Sequence, residues 1–163
     1  MAISEQGMTS LELVVTAAVV GILSGLALQQ GGETLARMRV ESVSRRVALG
    51  LEMGRAAAER QGSPCALQLS EQGWHAPERG ALPACAGVVL ELGENGRAEG
   101  VEVEHNFPDA VRFSSNGLVL DGGTVVVRAA GTDLSRCLVM SLPLGVVRLG
   151  LQKREGGCRP PAR

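Results

Sequence analysis

The sequence predicts an α+β protein in which a long N-terminal helix packs on a C-terminal domain of antiparallel strands. Residues 8–61 contain no proline, and their apolar residues pass from a continuous run to a spacing of three and four. Residues 62–163 instead alternate short Val- and Leu-rich segments with Gly, Asn, Asp and Pro, the pattern of strands and turns. One long helix followed by many short strands favours a sheet packed on one face of the helix.

Residues 8–28 form an apolar run in which Glu12 is the single charged residue. As a helix the run spans about 32 Å, which matches a hydrocarbon core of roughly 30 Å. The run is too long for a cleaved secretory signal and no A-x-A-like site follows it, so we expect a retained transmembrane helix. Ala17, Gly21 and Gly25 recur every four residues and form a small-residue stripe that would let helices approach closely in lipid.

Residues 29–61 are predicted to continue as an amphipathic helix with a Val-rich buried face. Its apolar positions are Val40, Val43, Val47, Leu51, Gly54 and Ala58. Gly62-Ser63-Pro64 should end the helix, since proline cannot continue it and disfavours helical geometry at the residue before it.

Residues 62–163 are expected to form the β-rich domain. The predicted strands are Ala66–Leu69, Val88–Leu92, Val101–Val103, Val111–Ser114, Leu118–Leu120, Thr124–Arg128, Cys137–Leu142 and Val146–Leu151. The strongest hairpin candidate joins Leu118–Leu120 to Thr124–Arg128 through Asp121-Gly122-Gly123, because Asp-Gly suits a turn with positive φ.

Cys65, Cys85, Cys137 and Cys158 allow three disulfide pairings, of which Cys65–Cys85 with Cys137–Cys158 is the most local. Free thiols in a reducing compartment are the alternative. No cysteine stands at metal-ligand spacing from another cysteine or from a histidine, and no catalytic set is evident. We therefore expect no metal, no cofactor and no enzymatic activity. The net charge of −1 gives the whole chain no bias toward nucleic acid.

The stretch Gly7-Met8-Thr9-Ser10-Leu11-Glu12 resembles the class III signal of type IV pilins and type II secretion pseudopilins. The resemblance implies that residues 1–7 are a leader that a prepilin peptidase removes between Gly7 and Met8. It also implies that Met8 becomes the N-methylated terminus and that Glu12 pairs with a neighbouring subunit's terminus during assembly. A carboxylate in a membrane segment is costly without a partner, which agrees with this role. The alternative is a signal-anchor helix with an incidental acid.

Three further motifs resemble the GspH/FimT subfamily: Phe113-Ser114-Ser115-Asn116-Gly117, Gly122-Gly123-Thr124-Val125-Val126 and Gly145-Val146-Val147-Arg148. The resemblance implies a non-catalytic minor subunit of a type II secretion pseudopilus or a type IV pilus. Its partners would be other pseudopilins or pilins, in a bacterial inner membrane with residues 62–163 outside the cytoplasm. The positive-inside rule alone would favour the opposite orientation, because arginines follow the apolar run and none precedes it. The signal motif and the cysteines favour export.

Two other functions remain open. Some FimT-like proteins bind DNA for uptake through a Gly-Arg-x-Arg motif, of which Gly145–Arg148 keeps one arginine. The candidate DNA contacts are Arg148, Lys153, Arg154, Arg159 and Arg163, and a solvated basic terminus is the alternative. The third hypothesis is an unrelated membrane-anchored extracytoplasmic domain.

Overall fold

The structure, a computed structural model, describes residues 9–93, 96, 98–152 and 157–159, and it describes no side chains for residues 26–30 of the helix. The chain divides into two compact units, residues 1–35 and residues 36–163. The predicted leader, residues 1–7, lies outside the described residues.

Helix α1 (Ser10–Gln61) begins in the first unit. Its first turn is capped by Thr9, whose Oγ1 accepts a hydrogen bond from the Glu12 N–H at 3.3 Å. In the described part of the chain, no helix is both long and apolar enough to span a membrane. Met8 and the side chains of residues 26–28, which belong to the predicted transmembrane helix 8–28, are not among those described.

In the second unit, α1 ends at Gln61, the residue at which the sequence predicts the end of the amphipathic helix. Gly62 follows with a φ of 61° and donates its N–H to the Glu59 carbonyl at 3.2 Å, an ending that favours glycine. The predicted Val-rich face is buried, and Val47 is 0% exposed. Ser44 is also buried on this face, where its hydroxyl donates to the Val40 carbonyl at 2.7 Å.

In the described residues, nine strands form two antiparallel sheets. The first sheet has the order β3-β2-β1-β5 and the second the order β4-β6-β7-β8-β9. In chain order they are β1 (Cys65–Leu69), β2 (Gly73–His75), β3 (Leu90–Glu91), β4 (Val101–His105), β5 (Val111–Phe113), β6 (Gly123–Ala129), β7 (Ser135–Ser141), β8 (Val146–Gln152) and β9 (Cys158–Arg159). Side chains of both sheets and of α1 contribute to one hydrophobic core. The predicted α+β class with a long helix and antiparallel sheets is confirmed.

The predicted hairpin around Asp121-Gly122-Gly123 is wrong. Strand β6 pairs with β4 on one side and β7 on the other, while residues 118–120 form no strand and bond to β5 instead, through the Val119–Phe113 bridge and the Leu120 N–H, which donates to the Arg112 carbonyl at 2.9 Å. The turn residue itself also bonds to β5. Asp121 accepts three hydrogen bonds from Arg112 of β5, two from its guanidinium at 2.8 Å and one from its backbone N–H at 2.9 Å.

The Arg112 guanidinium beside Asp121 holds the pKa of the Asp121 carboxyl below its ordinary value of 3.8, mainly through the side-chain hydrogen bonds. Partial burial of the carboxyl acts in the opposite direction and raises its pKa. A pKa lower in the folded than in the unfolded chain adds stability above about pH 4, and that stability is lost as the pH falls below this value.

We expect Asp121→Asn to lower the free energy of unfolding by about 1 kcal/mol at pH 7, a modest value because the pair is partly exposed. The difference from the natural protein should shrink at pH 3 in urea unfolding. Asp109→Asn, at an exposed carboxylate, is the matched control and should change the stability at neither pH. A difference for Asp121→Asn that persists at pH 3 would contradict the ion-pair account.

Two helix glycines determine how closely the sheets approach α1. The Trp74 ring lies directly against Gly50, and its indole N–H donates to the buried Val47 carbonyl at 3.0 Å. One turn later, a Cβ on Gly54 would stand 2.6 Å from Cζ of Phe113. Glycine therefore acts here as space for two buried aromatic rings.

Candidate functional site

The first candidate site is the N-terminal turn of α1. Glu12 is exposed in this turn, and the capping bond to Thr9 uses its backbone N–H and not its carboxylate. The neighbouring apolar side chains are also exposed, with Leu11 at 75% and Leu13 at 59%. Gly7 and Met8, the predicted cleavage and methylation positions, lie outside the described residues. Glu12 therefore stands at the start of an uncovered apolar helix surface.

This uncovered surface extends along the first unit. Its exposed large side chains include Val14, Val15, Val19, Val20, Ile22 and Leu23. Ala17, Gly21 and Gly25 are exposed as well, and a Cβ added at either glycine would meet no atom within 4 Å. The stripe thus leaves open space beside the helix, where a second backbone would fit closely.

Two disulfides hold the second unit. Cys65 is bonded to Cys85 with an S–S distance of 2.08 Å, and Cys137 to Cys158 with 2.01 Å, which is the most local of the three pairings. The second bond joins β7 to β9 across the intervening strand β8. Gly150 lies beneath it, since a Cβ there would stand 2.9 Å from Cys158 Sγ.

The motif Phe113–Gly117 fastens the turn after β5 to the end of α1. Ser114 Oγ accepts the Leu118 N–H at 3.1 Å, and the Gly117 carbonyl accepts a hydrogen bond from Arg55 Nε at 3.0 Å. Gly117 has a φ of 70°, and a side chain there would overlap Glu59 of the helix. The motif therefore serves to pack the turn after β5 against α1.

The candidate DNA contacts do not converge in the described residues. Arg148 is directly opposite Val139 in the β7–β8 pair, whereas Arg159 is opposite Leu151 in the β8–β9 pair. Positions 148 and 151 differ by an odd number along one strand, so the two arginines project from opposite faces of the sheet. Lys153, Arg154 and Arg163 lie outside the described residues.

The described residues contain no cluster of His, Cys, Asp and Glu suited to a metal ion. Within the same residues, His75 contacts its neighbouring Ala76 carbonyl at 2.9 Å and His105 contacts the Leu69 carbonyl at 3.1 Å, so each ring has a backbone partner. Neither histidine is placed beside a nucleophile in these contacts.

The geometry defines a class of protein: a long helix with an apolar N-terminal half, followed by antiparallel sheets packed on its second half, as in the pilin-like fold. A family model described as type II transport protein GspH matches residues 43–143, more than half of the chain. The chain belongs to the GspH family. Searches of curated proteins and of solved structures found no match.

Proposed function

We propose that this protein is a minor pseudopilin that assembles through its N-terminal helix into the pseudopilus of a type II secretion system. The observation that carries the proposal is the uncovered apolar surface of α1 with Glu12 at its start. Membership of the GspH family supports the assignment to type II secretion and association with other pseudopilins. The protein serves as a structural subunit without catalysis.

Before assembly the apolar run 8–28 anchors the chain in the bacterial inner membrane, with the second unit outside the cytoplasm. The two disulfides support this orientation, because structural disulfides persist in oxidising compartments. A prepilin peptidase cuts after Gly7 and leaves N-methylated Met8 as the new terminus.

Assembly gives Glu12 the partner it lacks in lipid. An unpaired carboxylate in a membrane costs several kcal/mol, and a positively charged terminal amine of a neighbouring subunit relieves that cost. The stripe formed by Ala17, Gly21 and Gly25 lets neighbouring helices approach closely, so that the apolar side chains around it become covered.

We expect Gly7→Arg to block processing and leave full-length precursor in the membrane, because the bulky charged side chain replaces the residue at the cut. Intact-mass spectrometry of membrane-extracted protein separates the two species, since processing removes residues 1–7 and adds one methyl group. Ser4→Arg adds the same charge inside the leader and should be cleaved normally. An uncleaved chain in the natural protein would contradict the pseudopilin assignment.

The DNA-binding alternative gains no support from the described residues. Val146 occupies the position of the first motif arginine, and Arg148 and Arg159 lie on opposite faces of the sheet. A phosphate backbone would therefore meet these two arginines one at a time. We do not propose this function.

A further inference from the structure

Strand β4 (Val101–His105) is one edge of the five-stranded sheet, and its pairing with β6 shows which backbone groups remain open. The Ala130 N–H donates to the Gly100 carbonyl at 2.9 Å, and the Asn106 N–H donates to the Thr124 carbonyl at 3.2 Å. Hydrogen bonding to one neighbour alternates along an antiparallel strand. The even-numbered residues of β4 therefore bond to β6, and the odd-numbered residues direct their backbone groups away from the sheet.

The outward backbone groups of Val103 and His105 have no hydrogen-bond partner in the described part of the chain. An edge of this kind is a template for a further strand. The five consecutive pairs with β6 are in register, and residues 101–105 contain no proline. The edge is therefore regular enough to accept a partner.

A groove of about 410 Å³ runs along this edge, within the size range of ligand clefts. It is lined by Glu71, Ala98, Val101, Glu102, Val103 and Glu104. Glu102 and Glu104 project from the outer face two residues apart, and both are exposed. Glu102 makes no ion pair with a described residue, and Glu104 contacts Arg128 at 3.6 Å.

We propose that this edge binds an extended segment of a neighbouring subunit, added to β4 as a further strand with Lys or Arg at alternate positions. Backbone hydrogen bonds to Val103 and His105 would supply affinity, as in other cases of strand addition. Basic side chains opposite Glu102 and Glu104 would lie within the cross-strand distance of about 5 Å and select this partner. The inference rests on the proposed role as a subunit and names the chemistry of one contact.

The two carboxylates also exclude some classes of strand from this edge. Like charges directly opposite each other destabilise a strand pair, so an acidic segment is repelled from this edge. An uncharged edge of another molecule gains nothing opposite Glu102 and Glu104 and would have to desolvate them. The edge thus combines open backbone groups with a negative charge pattern, and an extended segment with basic residues at alternate positions complements both.

The test uses the full-length protein in detergent and a fluorescein-labelled ten-residue peptide that alternates Arg and Val, with binding followed by fluorescence anisotropy. We expect saturable binding of this peptide and no binding of the matched Glu–Val peptide. Methylation of the Arg–Val peptide at the backbone nitrogens of its Val residues, which would lie opposite Val103 and His105, should weaken binding at least tenfold, because it removes the hydrogen bonds along the edge of the peptide that faces β4.

Two double variants with the same charge change distinguish specific binding of the peptide at this edge from its general electrostatic attraction to the protein. Glu102→Lys with Glu104→Lys should weaken peptide binding at least tenfold, whereas Glu78→Lys with Asp109→Lys, at exposed acids outside the groove, should not. Val103→Pro removes an outward N–H without touching the bonds to β6, and it should also weaken binding. Emission from buried Trp74 verifies that each variant is folded.

Equal losses in the two double variants, or full binding by the N-methylated peptide, would overturn the proposal in favour of non-specific attraction. Absence of binding by the Arg–Val peptide to the natural protein would overturn it as well. None of these results bears on cleavage after Gly7 or on incorporation through Glu12, so a failure here is distinguishable from a failure of the pseudopilin assignment.

Discussion

Replacement of Gly50 by alanine is expected to lower the free energy of unfolding by about 2 kcal/mol, although alanine favours a helix more than glycine does. The added methyl group would overlap the Trp74 ring and displace its indole from the Val47 carbonyl. Overpacking of a core costs about 1–3 kcal/mol and a lost hydrogen bond about 1, whereas the gain in helix propensity is about 1. Urea unfolding followed by emission of Trp74, the single tryptophan, measures the difference.

Gly32→Ala is the matched control, because Gly32 lies in the same helix and a Cβ there meets no atom within 4 Å. It should leave the unfolding midpoint of the second unit unchanged. If Gly50→Ala is as stable as Gly32→Ala, then the Trp74 ring does not depend on the space at Gly50.

Glu12→Leu is expected to reduce incorporation into the pseudopilus at least tenfold while leaving membrane insertion intact. The substitution makes the helix more compatible with lipid, so a loss of assembly cannot be attributed to poor insertion. The missing carboxylate removes the pairing with a neighbouring terminus, and breaking a buried ion pair costs about 3–5 kcal/mol. Pull-down of the other minor subunits from detergent-extracted membranes measures incorporation.

Thr16→Leu controls for the change in hydrophobicity, since Thr16 is an exposed polar residue one turn further along α1 whose hydroxyl bonds only to the Leu13 carbonyl in the described contacts. This variant should assemble normally. Normal incorporation of Glu12→Leu would show that the carboxylate is incidental to assembly.

Much of the fold is predictable from the sequence because its signals are local. Gly62-Ser63-Pro64 marks the end of α1, and the Val-rich segments at β6, β7 and β8 are long enough for strand patterns to be recognised. Nearest-neighbour cysteine pairing likewise gives the two observed disulfides.

Features that depend on distant contacts are not predictable in this way. Strands β2 and β9 contain three and two residues, too few to show a period, and β3 keeps only Leu90–Glu91 of the predicted Val88–Leu92. Asp121 has the sequence of a hairpin turn but is held by Arg112, nine residues earlier.

The candidate sites also differ in whether they depend on local sequence or on distant contacts. A peptidase reads the linear order of residues around Gly7, so that motif is visible in the sequence. The open edge of β4 is visible only after the strand order is known, because nothing in residues 101–105 indicates which strand lies at the border of the sheet. The space at Gly50 for Trp74 is also a property of the assembled core.

Site-specific photo-cross-linking from α1 tests the central claim most directly. A photoreactive residue in place of Val14, which is 64% exposed two residues after Glu12 in α1, would be activated in intact cells during active secretion. The pseudopilin assignment predicts a covalent adduct with the N-terminal helix of another pseudopilin of the same secretion system, identified by mass spectrometry and lost in the Glu12→Leu variant. Adducts with lipid alone would contradict the assignment, whereas pseudopilin adducts unchanged by Glu12→Leu would contradict the role of the carboxylate in assembly.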